Sequence, residues 1–353
     1  MPATPKVEAW YLETVSGQRR GLLASLTRGL LAAISWGYGL GVAVRELTYQ
    51  LGLVKPVRVA AKTISVGNLT LGGTGKTPAV IHLARHYQAA GEMVAVLIRG
   101  HGASRLAGCN IVHDGRSAQL GVAEAGDEAL LIGRLLGNVP VLAGKDRRIT
   151  AQTAVERFGA TVLILDDGFQ YRRLHVDEHI VLLDATQPFG TRRLFPAGTL
   201  RDPASALRRA AEVWITRADH PSAVPLDALT QRVAKLAPGV PVRRTVHAPA
   251  RLLAGDAELP VTALRDQQVV ALAGIGNPQA FRATLAGLGA EVVREAFYPD
   301  HHPYSPDELA MLARDCADLV VVTTEKDWMR LDAWPQGDGL APLWVLGIEL
   351  RFV

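Results

Sequence analysis

The chain has 353 residues, with 38 Lys and Arg against 34 Asp and Glu, a formal net charge of +4 and 48% hydrophobic residues. That length suits two domains with a sizeable core, and the two cysteines, Cys109 and Cys316, lie too far apart in sequence to suggest a disulfide framework or a metal-ligand spacing. The charge is uneven: residues 1–62 carry eight basic and three acidic side chains, a net +5, so the other 291 residues sum to −1. A basic end on an otherwise balanced chain argues against general nucleic-acid binding and for a local anionic partner such as a membrane surface.

Residues 21–44 form the most apolar stretch, interrupted by Arg28. The uncharged run from Gly29 to Val44 has 16 residues and four glycines, short of the ~20 residues that a spanning helix needs. It predicts an interfacial helix, with Trp10, Tyr11, Trp36 and Tyr38 at headgroup depth and Arg19, Arg20, Arg28 and Arg45 near lipid phosphates. A core helix packed on the following domain is the competing reading. A cleaved signal peptide is disfavoured, because no small-residue cleavage site follows.

Ile64-Ser65-Val66-Gly67-Asn68-Leu69-Thr70-Leu71-Gly72-Gly73-Thr74-Gly75-Lys76-Thr77-Pro78 reads as a phosphate-binding loop between a buried strand (Val59, Ile64, Val66) and a helix (Ala79 to Ala84). Glycines let backbone N–H groups approach phosphate oxygens, the helix N-terminus favours negative charge, and Lys76 adds a cation. The Thr77 hydroxyl suits Mg²⁺ beside a nucleotide. The usual register asks for Gly five residues before Gly75, where Thr70 stands; the nearest upstream glycine is Gly67, so a longer or differently bent loop is expected.

Met93–Ile98 is a continuous apolar run of the kind buried in parallel sheets. Gly126-Asp127-Glu128 opens a helix, and on spacing alone its two carboxylates read best as charge placed at a helix N-terminus. A strand at Val139–Leu142, a helix from Asp146 to Phe158, and the strand Thr161–Leu165 follow. The last ends in Asp166-Asp167-Gly168-Phe169-Gln170, which sets a carboxylate at the sheet edge where a phosphate loop needs a partner for Mg²⁺ or its water. His179–Leu183, ending in Asp184, and Val213–Thr216 are further strands; Arg192, Arg193, Arg201 and Asp202 lie in the polar loop between them.

Strands alternating with helices predict an α/β fold, a doubly wound parallel sheet of the P-loop type. From Val240 an extended connector leads to a second, smaller α/β series: strand from Gln268, helix 279–288, strand 291–297, helix 305–317, strand Leu319–Val322. The last strand, Leu343–Leu350, is expected to return along the connector as a two-strand hinge. The expected division is 1–58 as a membrane-associating segment, 59–240 as the nucleotide-binding domain, 241–341 as the smaller domain and 342–353 as the return strand. In Pro299-Asp300-His301-His302-Pro303, a histidine oriented by Asp300 and facing the cleft between the domains is preferred to a metal site, since no further ligand stands at metal spacing.

Taken together, these motifs resemble the tetraacyldisaccharide 4'-kinase family of lipid A biosynthesis. The match runs in order through Ser65-Val66-Gly67-Asn68, Gly72–Pro78, Gly126-Asp127-Glu128, Asp166–Gln170, Gly198-Thr199-Leu200-Arg201, Gly274-Ile275-Gly276-Asn277-Pro278, Asp300-His301-His302 and Thr324-Glu325-Lys326-Asp327. The resemblance implies an ATP-dependent kinase acting on the 4'-hydroxyl of an acylated disaccharide lipid. It further implies work at the cytoplasmic face of the bacterial inner membrane, peripheral or monotopic, with no nucleic acid and no obligate protein partner. Gly72, Gly73, Thr74, Gly75, Lys76 and Thr77 are implied to hold ATP, with Thr77 and an acid of Asp166-Asp167 on Mg²⁺. Asp127 is implied to take the sugar proton, supported by His301, with Gln170 and Arg201 near the transferring phosphate.

This chain departs from the family pattern at His101, where a Tyr is usual, at Asp202, where Glu is usual, and at Ala129, where Pro is common. For Asp202 a water-mediated reach to Mg²⁺ is expected. The alternative reading is a P-loop ATP or GTP switch or a metallochaperone-type NTPase. Leu71 stands where such switches often carry a second Lys, and the guanine-reading Asn-Lys-x-Asp is absent.

Overall fold

The computed structural model describes residues 5–100, 108–255, 257–300 and 302–353. In chain order the first elements are α1 (Pro5–Val15), α2 (Leu22–Gln50), β1 (Lys62–Asn68), α3 (Lys76–Ala89), β2 (Val94–Ile98), β3 (Asn110–Asp114), α4 (Val122–Ala125), α5 (Asp127–Leu136), β4 (Pro140–Ala143), α6 (Arg147–Phe158), β5 (Val162–Asp166), β6 (Glu178–Asp184) and β7 (Glu212–Thr216). They continue as α7 (Leu226–Leu236), β8 (Val242–Ala254), β9 (Ala257–Leu259), β10 (Gln268–Ala273), α8 (Pro278–Gly287), β11 (Glu291–Phe297), α9 (Pro306–Asp315), β12 (Val320–Thr324), α10 (Glu325–Trp328) and β13 (Leu343–Phe352). The fold is α/β with mainly parallel strands.

Contacts divide the chain into two compact units, one of the residues up to Arg99 with Asp146–Val246 and Phe352–Val353, the other of Gly100–Lys145 with His247–Arg351. Residues 100–145 thus group with the second unit, whereas chain order had set them in the first domain. The antiparallel pair β3 and β4 belongs to this segment.

In the first unit the strand order is β8-β7-β6-β1-β5-β2, every neighbouring pair parallel. β1 lies in the middle, and its Ile64 and Val66 are fully buried. Strands buried on both faces need continuous apolar runs, as in Val94–Ile98 and Val162–Leu165. Gly67 sits inside β1, and a Cβ there would stand 2.5 Å from the Cβ of Phe169. It is the glycine that lets the segment after β5 cross β1, and it is not the first glycine of a longer phosphate loop.

Helix ends carry their expected caps. Asp146 caps α6 by accepting from the Arg148 amide at 3.1 Å, and Gly159 ends that helix in the left-handed conformation. In the second unit, Ser305 and Glu308 form a reciprocal capping box on α9.

The second unit orders its strands β11-β10-β12-β13-β8, with β9 antiparallel on β8. The return strand β13 lies beside the extended connector β8, and β12 runs parallel to it. Val270, Leu272 and Val321 pack with Leu309 and Leu312 of α9 on one face, and Val269, Ala271 and Val322 with Phe281 and Leu285 of α8 on the other. Cys109 and Cys316 are not joined in a disulfide.

α2 has 29 residues and none is buried. Leu22, Leu23, Leu26, Leu30, Trp36 and Leu40 are exposed, Trp36 at 84%. Polar contacts tie the helix to the first unit: Ser35 Oγ donates to the Leu194 carbonyl (2.9 Å), Tyr38 Oη to the Arg201 carbonyl (2.7 Å), and Arg45 pairs with Asp202 (2.9 Å). From α1, Tyr11 Oη donates to the Gly198 carbonyl at 2.7 Å. Among the described residues no helix is long and apolar enough to cross a membrane.

Candidate active site

The phosphate loop joins β1 to α3, and its shape follows from two braces. On one side, Leu71 N donates to the Thr199 carbonyl (2.8 Å) and Arg201 N to the Leu69 carbonyl (2.7 Å), with Thr70 bridged antiparallel to Leu200. Thr70 is therefore in extended, buried backbone, a place for a β-branched residue; this accounts for the missing glycine. On the other side, Thr216 Oγ1 donates to the Thr74 carbonyl (3.0 Å), and Arg217, ion-paired with Asp184, donates to the Gly73 carbonyl (3.3 Å). Gly72 (φ 104°) and Gly75 (φ 84°) take left-handed turns closed to most other residues. Gly75 caps α3, so Lys76 and Thr77 open that helix.

Two of the expected residues converge on the carboxylate of a third. Asp167, just past β5, accepts from Arg201 Nη1 at 2.7 Å and Nη2 at 3.1 Å, and Lys76 Nζ stands 3.7 Å from its Oδ1. Asp167 holds a left-handed backbone (φ 53°), which costs a non-glycine residue about 1 kcal/mol and is least unfavourable for Asp and Asn. Asp166, the last residue of β5, is buried, and its carbonyl accepts from Arg147 Nη2 at 2.9 Å. Burial pulls the Arg147 guanidinium down to about 10 against the opposing pull of Asp166 and Asp167. Gln170 donates from Nε2 to the Asn68 carbonyl at 2.9 Å, so its amide fastens the end of β1.

Asn68 Oδ1, Thr74 Oγ1 and Gln170 Oε1 are buried with no hydrogen-bond partner among the described residues. Buried polar oxygens normally find partners: the acceptor oxygens of Asn68 and Gln170, with Thr77, Asp166 and Asp167, suit Mg²⁺ or its water, and the Thr74 hydroxyl can donate to a nucleotide's phosphate. Asp202 is differently employed: it is 1% exposed and its two oxygens meet Arg45 (2.9 Å) and Arg209 (3.2 Å). The water-mediated reach to Mg²⁺ expected of it has no counterpart in those contacts, since a buried carboxylate between two guanidiniums acts as a structural tie.

Asp127 is the first residue of α5, and its Oδ1 accepts from the Glu128 amide at 2.9 Å. It shares the second unit with Asp300, whose carboxylate lies 3.3 Å from Lys326 Nζ. His301 and His101 lie outside the described residues. The neighbouring His302 stacks on Tyr298 (4.6 Å between ring centres) and meets Glu308 at 3.3 Å. In the same unit, Arg134 of α5 lies 3.3 Å over the Trp328 ring of α10.

Sequence reasoning passed over Arg147, Thr216 and the Asp184–Arg217 pair. Arg147 carried a signal: a cation in the first turn of a helix opposes the helix dipole and asks for an acid from elsewhere.

The sequence model of one family, tetraacyldisaccharide-1-P 4'-kinase (LpxK), matches residues 27–353. A tetraacyldisaccharide 4'-kinase of Syntrophus aciditrophicus (strain SB) is 44% identical over 333 residues, covering 91% of this chain and 88% of that protein. One from Anaeromyxobacter sp. (strain Fw109-5) is 45% identical over 309 residues, covering 86% and 83%. Among solved structures, the "apo" form of LpxK from Aquifex aeolicus in complex with ATP superposes with a TM-score of 0.75 at 30% identity, over 93% of this chain and 95% of that one. The chain belongs to the tetraacyldisaccharide-1-P 4'-kinase family.

Proposed function

We infer that the protein is the ATP-dependent kinase that transfers a γ-phosphoryl group to the 4'-hydroxyl of a tetraacyldisaccharide 1-phosphate in lipid A biosynthesis. The observation that carries the reading is the convergence of Lys76 and Arg201 on Asp167 beside the phosphate loop. Family membership gives the reaction, and this cluster supports reading the phosphate loop as its site. A loose phosphoryl-transfer transition state asks for positioned cations and little covalent help, and two cations held by one carboxylate are pre-positioned.

In this reading the loop amides and Lys76 hold the ATP phosphates, and Arg201 faces the charge that develops during transfer. Thr77 with Asp166 or Asp167 would hold Mg²⁺, which supplies neutralisation of phosphate charge when bound. Asp127 accepts the proton of the 4'-hydroxyl, with His301 supporting it, and Gln170 keeps the end of β1 in place. Asp127 opens a helix, where negative charge is favoured. The exposed apolar side chains of α2 support attachment at the cytoplasmic face of the inner membrane, where the acylated acceptor resides.

The test is transfer of label from γ-labelled ATP to the acylated disaccharide 1-phosphate, comparing wild type with Lys76→Ala, Asp127→Ala and His301→Ala. Each variant is expected to lose at least ~10² in turnover. Wild-type-like turnover of Asp127→Ala would remove it as the base. Nucleotide hydrolysis that proceeds equally well without any lipid would instead favour the NTPase switch.

A further inference from the structure

A depression of about 1110 Å³ opens in the first unit between the end of α1, the segment 186–193 and the first turns of α7. Its floor is apolar, with Val15, Phe189 and Leu229. Four arginines line it: Arg28, Arg192, Arg193 and Arg232. Among the described residues the only acid in the lining is Glu13, which is already paired with Arg19 at 2.8 Å. None of the four arginines has a carboxylate partner among the described residues. Arg28 donates to neutral groups alone, the Arg19 carbonyl at 2.8 Å and Ser25 Oγ at 3.0 Å, and Arg232 lies 4.3 Å over the Phe189 ring. Unneutralised guanidiniums gathered around one concavity form an anion site, and their planar forks suit phosphate oxygens.

The rim is held in shape before anything binds. Thr191 N donates to Thr199 Oγ1 (3.0 Å) and Thr199 N to Thr191 Oγ1 (2.9 Å), and Arg192 N closes a turn on the Phe189 carbonyl (2.9 Å). A side chain at Gly190 would stand 1.9 Å from Thr199 Oγ1, so only glycine lets the turn close. Gln18 and Arg28, both in the lining, bracket Leu22, Leu23 and Leu26, which are 80%, 78% and 64% exposed. An anion beside exposed leucines and above an apolar floor is the signature of an amphiphile.

We propose that this depression binds the phosphate headgroup of an anionic membrane phospholipid, with the acyl chains running along the exposed leucines of α2. It is a docking site separate from the kinase's phosphate loop, and it rests on the reading of α2 as a membrane-bound helix. Bound there, one lipid would fix the rotation of the protein on the bilayer.

Two measurements test it. In solution, short-chain dihexanoyl phosphatidylglycerol below its micelle concentration, dihexanoyl phosphatidylcholine and inorganic phosphate are titrated separately into wild type and Arg192→Ala/Arg193→Ala. The phosphatidylglycerol is expected to bind wild type at least ~10-fold more tightly than either of the others, and the double variant to lose that preference. Equal binding of phosphate and phosphatidylglycerol would make it a free-anion site and overturn the proposal, as would an unchanged preference in the double variant. On vesicles, the double variant is expected to keep its partitioning onto phosphatidylcholine and to lose roughly tenfold on vesicles with added phosphatidylglycerol. A Lys55→Ala/Arg58→Ala control, with the same charge removed elsewhere, is expected to lose only a few-fold, and an equal loss in the control overturns the site. If wild type fails to bind any vesicle, the membrane reading of α2 falls, while the solution titration still decides the depression.

Discussion

Arg201 and Asp167 form a two-point ion pair, Nη1 to Oδ1 at 2.7 Å and Nη2 to Oδ2 at 3.1 Å, although they lie on different loops at one end of the sheet. The same Arg201 donates its backbone amide to Leu69 at the start of the phosphate loop. One residue therefore sets both the loop and the acid beside it. Arg201→Lys keeps a charge and loses the fork, so turnover is expected to fall ~10-fold, and Arg201→Ala should cost ~10², with kcat moving more than the KM for ATP. Steady-state kinetics at saturating lipid checks this; unchanged kcat in Arg201→Lys would show that charge alone suffices. Asp167→Asn, which tolerates the left-handed backbone, should keep the melting temperature within a few degrees while turnover falls.

Asp202 is buried between Arg45 of α2 and Arg209, so its removal acts on stability. Burial already holds the Arg209 guanidinium below its ordinary range, and Asp202 is one of the charges that opposes this. Asp202→Ala leaves the buried Arg209 with only the longer contact to Glu46, 3.9 Å away, at a cost of about 3 kcal/mol. Chemical denaturation of wild type and variant gives the difference directly. Asp202→Glu, the residue usual in the family, should recover most of it. A variant that unfolds like wild type and yet loses turnover would return Asp202 to the chemistry.

The parts that were legible in the sequence are those whose physics is local. Glycines beside Lys76 and Thr77, an apolar strand ending in Asp166, and Gly126 before Asp127 each state their geometry within a few residues. What was not legible is held by distant partners. Gly67 belongs to Phe169, 102 residues on, and Thr70 to Leu200, so the irregular loop register made sense only when both neighbours were in place. Arg147 beneath Asp166 and Thr216 on Thr74 are of the same kind. Residues 100–145 were assigned by chain continuity, yet their helix α5 packs through Arg134 on Trp328 of the second unit. The short antiparallel strand β3 and the helix α7 also passed unremarked, the first because five residues with a register shift carry little alternation.

His179 lies on β6 with its ring edge-on to Phe169, 5.3 Å between centres. Burial first, then the nearby cations Arg209, Arg172 and His175, pushes its pKa from 6.5 down to about 3. The unfolded chain therefore binds this proton below pH 6.5 and the folded chain only near pH 3, so stability is full above 6.5 and declines as pH falls between the two. The limiting slope is about 1.4 kcal/mol per pH unit. His179→Phe removes that slope: urea midpoints of wild type should drop between pH 7.5 and 5 by more than those of the variant. Parallel curves would mean that His179 takes up its proton at the same pH in the folded as in the unfolded chain.

α2 separates the membrane reading from the core-helix reading, because the two make opposite predictions for the same substitutions. Leu30 is 63% and Trp36 84% exposed, and the contacts that hold the helix run through Ser35, Tyr38 and Arg45 instead. A charge on an exposed face leaves those contacts intact, so Leu30→Asp/Trp36→Asp should unfold at nearly the wild-type temperature. At a lipid surface each carboxylate must be carried into the interface, and the buried apolar area is lost as well. Sedimentation with phospholipid vesicles should therefore fall by at least ~10-fold, and turnover on lipid presented in vesicles should fall with it. Activity on acceptor dispersed in detergent should be far less affected, since the phosphate loop is untouched. A variant that sediments like wild type but melts several degrees lower would establish α2 as a core helix covered by something other than lipid.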